Sequence, residues 1–123
     1  MRTRNTLQLT AIQGALEAAG RPLSPEEVLK DAKKKVPSLG IATVYRTLKL
    51  LIQQKVLVAQ DIPTSGVRYE LAKLAHHHHF LCKHCDKVFD IPGCVGDLKK
   101  ILPKGFKLEE HDILLKGLCR ECN

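Results

Sequence analysis

Cys82-x-x-Cys85 and Cys119-x-x-Cys122 each place two thiols on a tight turn, the bite of a tetrahedral zinc at about 2.3 Å per Zn–S bond. Four thiolates close such a site and leave it no open position. His76, His77, His78 and His79 stand just ahead of the first pair, so the chain holds more donors than one ion uses. The 33 residues between the pairs exceed the span of a simple zinc ribbon, so the clamp joins segments far apart in the chain. Two disulfides or a redox dithiol are the alternative use of this spacing. Cys94 is left over, and is expected as a buried or partly buried free thiol, with a regulatory or metal-ligand role as the alternative.

A histidine run that enters a strand sends alternate rings to opposite faces. His77 and His79 then share one face and His76 and His78 the other, so one run can feed two metal sites. Glu70, Asp90, Asp97 and His111 are the donors that could complete them. Three histidines and a carboxylate also suit a catalytic zinc with an open position for water. The chain has no His-Glu-x-x-His helix, no Gly-x-Ser-x-Gly elbow and no phosphate-binding glycine loop. An enzyme is therefore not expected.

The elements that must position these donors fall into two groups. Apolar Leu9, Ile12, Leu16 and Ala19 predict a helix over 9–19, ended by Gly20. Ser24-Pro25-Glu26-Glu27 predicts a second helix start with a capping box, running to Lys33-Lys34-Lys35 before Pro37. A third helix is expected over 41–54, with Val44, Leu48, Leu51 and Ile52 inward and Tyr45, Arg46, Lys49 and Gln53 largely outward. Short strands are expected at 56–60 and 67–71, joined by a loop holding Pro63 and Gly66. Three helices and a two-stranded wing make a winged helix-turn-helix. The composition shifts at Ala72–Ala75, the expected hinge. Beyond it the pattern predicts a hairpin (79–83 and 87–91), a short helix (95–102) and a long strand (106–118), an α+β arrangement.

The charge agrees with this division. Residues 1–72 carry 11 Lys/Arg against 6 Asp/Glu, a net of +5, and residues 73–123 carry 9 against 7, a net of +2. Four thiolates and one zinc ion lower the second figure to about neutral. A basic excess in the first half is the footprint a nucleic acid requires. No apolar run nears the ~18–20 residues of a membrane span, and no secretory leader opens the chain. A cytoplasmic setting without membrane association is expected, where thiols stay reduced and ligate metal.

Ile41-Ala42-Thr43-Val44-Tyr45-Arg46-Thr47-Leu48, Tyr69-Glu70-Leu71, the His76–His79 run, Phe80-Leu81-Cys82-x-x-Cys85 and Gly117-Leu118-Cys119-x-x-Cys122 resemble the ferric uptake regulator (Fur) family of metal-dependent bacterial repressors. The resemblance covers nearly the whole chain in order. It implies a winged-helix DNA-binding domain (1–72), a dimerisation domain with structural zinc (73–123), and a homodimer on a palindromic operator in double-stranded DNA. Cys82, Cys85, Cys119 and Cys122 match the family's structural zinc ligands. Glu70, His77, His79 and Asp90 match regulatory ligands at the hinge. His76, His78, Asp97 and His111 match an additional site, with His78 replacing the more familiar aspartate. Tyr45 and Arg46 match residues of the reader helix, and Thr43, Lys49 and Arg68 complete the expected DNA contacts.

Two departures matter. Iron-binding and peroxide-sensing members usually carry a histidine just before the second helix, where this chain has Arg21-Pro22-Leu23-Ser24. The hinge set is then at most four protein ligands, which favours Zn2+ over Fe2+ or Mn2+ as the second metal. The first helix reads Thr10-Ala11-Ile12-Gln13 where relatives place an arginine, so that backbone contact is missing or passes to Arg2 or Arg4. The rival expectation is a zinc-ribbon module that holds protein or RNA and senses nothing.

Overall fold

A computed structural model describes residues 2–72, 75–94 and 96–123, with side chains from Thr6 onward. The chain divides into two compact units, residues 1–74 and 75–123. Lys73 and Leu74, in the expected hinge, lie outside the described residues, as do the side chains of Arg2 and Arg4.

The first unit runs α1 (Arg2–Ala19), α2 (Pro25–Ala32), α3 (Ile41–Gln53), β1 (Leu57–Ile62) and β2 (Gly66–Leu71). Its core gathers Ile12 and Leu16 from α1, Val28 and Ala32 from α2, Val44, Leu48 and Leu51 from α3, and Leu57 from β1. Each fully buried Leu, Ile or Val contributes roughly 1.5–3 kcal/mol, so this face holds the helices together. α1 begins well before Leu9. No Gly or Pro interrupts residues 2–8, and helix needs no apolar stripe where it need not pack. Gly20 ends it at φ +64°, a conformation that favours glycine.

The capping box of α2 is complete. Ser24 Oγ accepts from the Glu27 N–H at 3.1 Å, and Glu27 Oε1 accepts from the Ser24 N–H at 3.0 Å. α2 stops at Ala32, so the three lysines follow it in turns. β1 and β2 pair antiparallel from Leu57↔Leu71 to Ile62↔Gly66. Leu23 adds a bridge to Tyr69, which ties the start of α2 to this sheet.

The second unit holds β3 (His78–Cys82), β4 (Val88–Ile91), a 3-10 turn (Leu98–Ile101) and β5 (Leu114–Gly117). The sheet order is β4-β3-β5, antiparallel between β3 and β4 and parallel between β3 and β5. The expected helix over 95–102 is only the 3-10 turn, because Gly96 at φ +100° and Pro103 bound it closely; Val95 lies outside the described residues. The expected long strand over 106–118 shortens to Leu114–Gly117, since β3 offers partners only from His79↔Leu114 to Cys82↔Gly117. A Cβ at Gly117 would stand 3.3 Å from the Phe80 ring, which would have to shift by a few tenths of an ångström. Among the described residues this unit buries few apolar side chains, chiefly Leu81 and Val88. A core this thin needs a staple.

Candidate metal centres

Parallel pairing of β3 with β5 brings the two cysteine pairs to the same end of the sheet, because Cys82 is opposite Gly117. Each pair sits on a turn, closed by the Asp86 N–H on the Cys82 carbonyl (2.9 Å) and the Cys122 N–H on the Cys119 carbonyl (3.1 Å). The four Sγ atoms all lie within 4.8 Å of one another, and Cys85 and Cys119 are 3.8 Å apart. The edge of a tetrahedron with 2.3 Å bonds is about 3.8 Å, so the Cys85–Cys119 separation matches a zinc edge and the four sulfurs are grouped closely enough to share one ion. All five cysteines are free thiols, which sets aside the disulfide alternative in this structure.

The electrostatics of the four sulfurs are uneven. The Cys85 N–H draws the Cys82 thiol down to about 5 against the effect of burial, and the Cys119 N–H adds to it. Those two backbone N–H groups lie 3.5 and 3.4 Å from Cys82 Sγ. Burial, together with the neighbouring sulfurs, pushes Cys122 up to about 12. One thiolate forms readily and the last resists, so full ionisation of the set requires a cation among them.

The histidine run alternates. The His77 and His79 rings lie 5.0 Å apart, and the His76 and His78 rings 4.6 Å apart. On the first face, Asp90 of β4 is opposite His79 in the register. Its Oδ1 lies 3.3 Å from His77 Nε2 and 3.5 Å from His79 Nε2. His77 Nδ1 donates to the Ala75 carbonyl at 2.7 Å, which orients the ring with Nε2 toward Asp90. Glu70 belongs to the first unit, where it is buried on β2 and accepts from Gln60 Nε2 at 3.4 Å.

On the other face, His76, His78 and His111 meet Cys94, with one donor atom from each within 4.8 Å. Burial holds His78 below the usual imidazole range, with His76 and His111 adding to the effect, so it stays neutral. Two expectations are corrected here. Asp97 is not in the cluster, because it caps the 3-10 turn, where its Oδ1 accepts from the Lys99 N–H at 3.1 Å. Cys94 is exposed rather than buried, since it lies on an irregular stretch after β4 rather than in a core. The signal that could have found it was its distance along the chain: three residues past Ile91, it follows the strand that pairs with the histidines.

A family model described as the ferric uptake regulator family matches residues 1–116. The chain belongs to that family. The ferric uptake regulation protein of Campylobacter jejuni is 37% identical over 105 residues, covering 81% of this chain and 67% of its own. That of Bacillus subtilis is 38% identical over 107 residues, covering 82% and 72%. The Helicobacter pylori ferric uptake regulator structure, described as revealing three functional metal binding sites, superposes with a TM-score of 0.68 at 30% identity over 94% of this chain and 79% of its own. A zinc-bound manganese uptake regulator gives 0.76 at 25% identity over 91% and 87%.

In this Fur-family chain, helix α3 has Val44, Leu48 and Leu51 buried and Tyr45, Arg46 and Lys49 exposed. Arg46 Nη2 donates to Thr43 Oγ1 at 3.0 Å, which orients the guanidinium along the helix face. Arg68 departs from its expected DNA contact. Strand alternation turns it inward with Glu70, it is only 4% exposed, and it donates to the Ser65 carbonyl. Before α2, Arg21 holds Glu27 in an ion pair at 2.5 Å.

Proposed function

We propose that this protein is a metal-responsive repressor that binds a palindromic operator in double-stranded DNA as a homodimer in the cytoplasm. Residues 1–72 act as the winged-helix DNA-binding domain and residues 73–123 as the dimerisation domain. Cys82, Cys85, Cys119 and Cys122 hold a structural zinc. Glu70, His77, His79 and Asp90 are the regulatory ligands, and Thr43, Tyr45, Arg46 and Lys49 present the DNA-reading face.

The observation that carries this reading is the convergence of His77, His79 and Asp90 just past the boundary between the two units. Two imidazoles and a carboxylate on one face are a donor set for a divalent ion. Glu70 belongs to the other unit, and the proposed switch is an arrangement of the two units in which all four donors would share the ion. Metal raises the population of that arrangement by its difference in affinity, and reversing a 1:99 ratio needs about a 10⁴-fold difference. Ile101, Phe106, Leu115 and Leu118 are exposed apolar residues of the second unit and support a dimer interface there.

Four protein ligands without an added histidine suit tetrahedral zinc better than a five-coordinate iron centre, so zinc is the favoured regulatory metal. The test is a duplex selected from random sequence, titrated with Zn2+, Fe2+ and Mn2+ against the native chain and a His77→Ala/His79→Ala double variant. The native chain should bind a palindrome with metal dependence, and the double variant should lose that dependence. Unchanged dependence in the variant places the switch elsewhere, and no metal response at all favours a module that senses nothing.

A further inference from the structure

We propose that His76, His78, Cys94 and His111 form a thiolate-containing metal site for a borderline-soft divalent ion, zinc before manganese or iron. Cys94 Sγ lies 3.2 Å from His111 Nε2 and 3.3 Å from His78 Nε2. Bonds of about 2.0–2.1 Å to nitrogen and 2.3 Å to sulfur set an N···S edge of roughly 3.5 Å in a tetrahedron. The sulfur therefore already stands near a ligand position relative to two imidazoles. The His76 and His111 rings are 5.0 Å apart, as are those of His78 and His111, so the nitrogens surround one point.

The chemistry differs from that of a histidine–carboxylate set. Asp97, the hard oxygen donor expected at this place, is engaged as the cap of the 3-10 turn. A thiolate in its stead selects zinc or other soft and borderline ions, whereas carboxylate-rich sets suit manganese. Two of the four donors, His76 and Cys94, are exposed, so the ion exchanges with solvent more readily than one closed in by the four cysteines.

His78 enters last. Its Nδ1 accepts from the Ile113 backbone N–H at 3.2 Å, which puts the ring proton on Nε2, facing Cys94 Sγ. Ligation through Nε2 moves that proton to Nδ1 and gives up the Ile113 contact, so closing the fourth position costs that hydrogen bond. The cluster holds this ion whether or not the protein is a sensor.

Cobalt(II) reports the outcome. The full-length protein, with zinc retained in the four-cysteine site at one per chain, is titrated with Co2+ and followed by absorption. The native chain should develop a near-ultraviolet sulfur-to-cobalt charge-transfer band. Cys94→Ser, at an exposed position that leaves the fold intact, should lose that band and bind at least about tenfold more weakly there. Cys94→Asp should bind cobalt without the band. His78→Gln should keep the band at reduced affinity. No band in the native chain, or an undiminished band in Cys94→Ser at constant zinc content, overturns the proposal.

Discussion

The sulfurs of Cys85 and Cys119 stand 3.8 Å apart although 34 positions separate them in the chain. A metal bridging them closes a loop that spans most of the second unit. Removing it should melt that unit while the first keeps its helices. Chelation, or Cys119→Ser, is expected to abolish the retained zinc and the cooperative transition of residues 75–123. Apparent structural zinc energies of about 10–16 kcal/mol in small domains set the scale. Zinc analysis paired with circular dichroism melts checks this. A Cys119→Ser chain with unchanged melting would mean the four sulfurs are not a staple.

Asp90 faces His77 and His79, so its charge should matter more than its shape. Asp90→Asn keeps the volume and removes the anion. Metal affinity at the hinge set should fall about tenfold or more, with zinc in the four-cysteine site unaffected. Equilibrium dialysis with a competing chelator measures both together.

The Arg21–Glu27 pair makes a pH prediction. Burial works against the Glu27 carboxylate, but Arg21 and the Ser24 backbone N–H outweigh it and hold its pKa below the ordinary 4.5. A depressed carboxylate contributes stability that is full above the unfolded value and lost as pH falls through the folded one. The contribution should therefore be intact at neutral pH and disappear below about 4.5. Glu27 is only half buried, so solvent screening keeps the effect small, and Glu27→Gln should cost about 1 kcal/mol at pH 7. Urea melts at pH 7 and pH 4 compare the variant with the parent, and the difference between them should shrink at the lower pH.

Arg46 and Arg68 separate a DNA contact from a structural arginine. Arg46→Ala should weaken binding across all duplexes and lower the salt slope by about one. Arg68→Ala should leave the slope unchanged and destabilise the first unit by roughly 1–3 kcal/mol, since it removes a buried guanidinium and its bond to the Ser65 carbonyl. Salt-dependent binding isotherms and urea melts of the two variants distinguish these effects. A reduced slope in Arg68→Ala would restore it to the DNA-reading set.

Local rules were legible in the chain because they act over a few residues. The Ser24/Glu27 box, Gly20 at the end of α1 and the buried stripe of α3 each depend on neighbours within one or two turns. The alternation of His76 through His79 followed from strand geometry alone. The length of β5 was not legible, because a strand extends only as far as its partner, and β3 lies 35 residues earlier.

The sequence by itself determined which atoms were available: four sulfurs in two pairs, a run of imidazoles, and a helix with one apolar side. Residue type and short-range spacing dictate these, and both are written in the chain. Only the tertiary structure decided which donors meet. It turned Arg68 inward, engaged Asp97 as a cap and carried Cys94 to within 3.3 Å of His78 and His111. Such choices depend on strand register and on backbone N–H groups that demand acceptors, and both are settled only when distant segments pack.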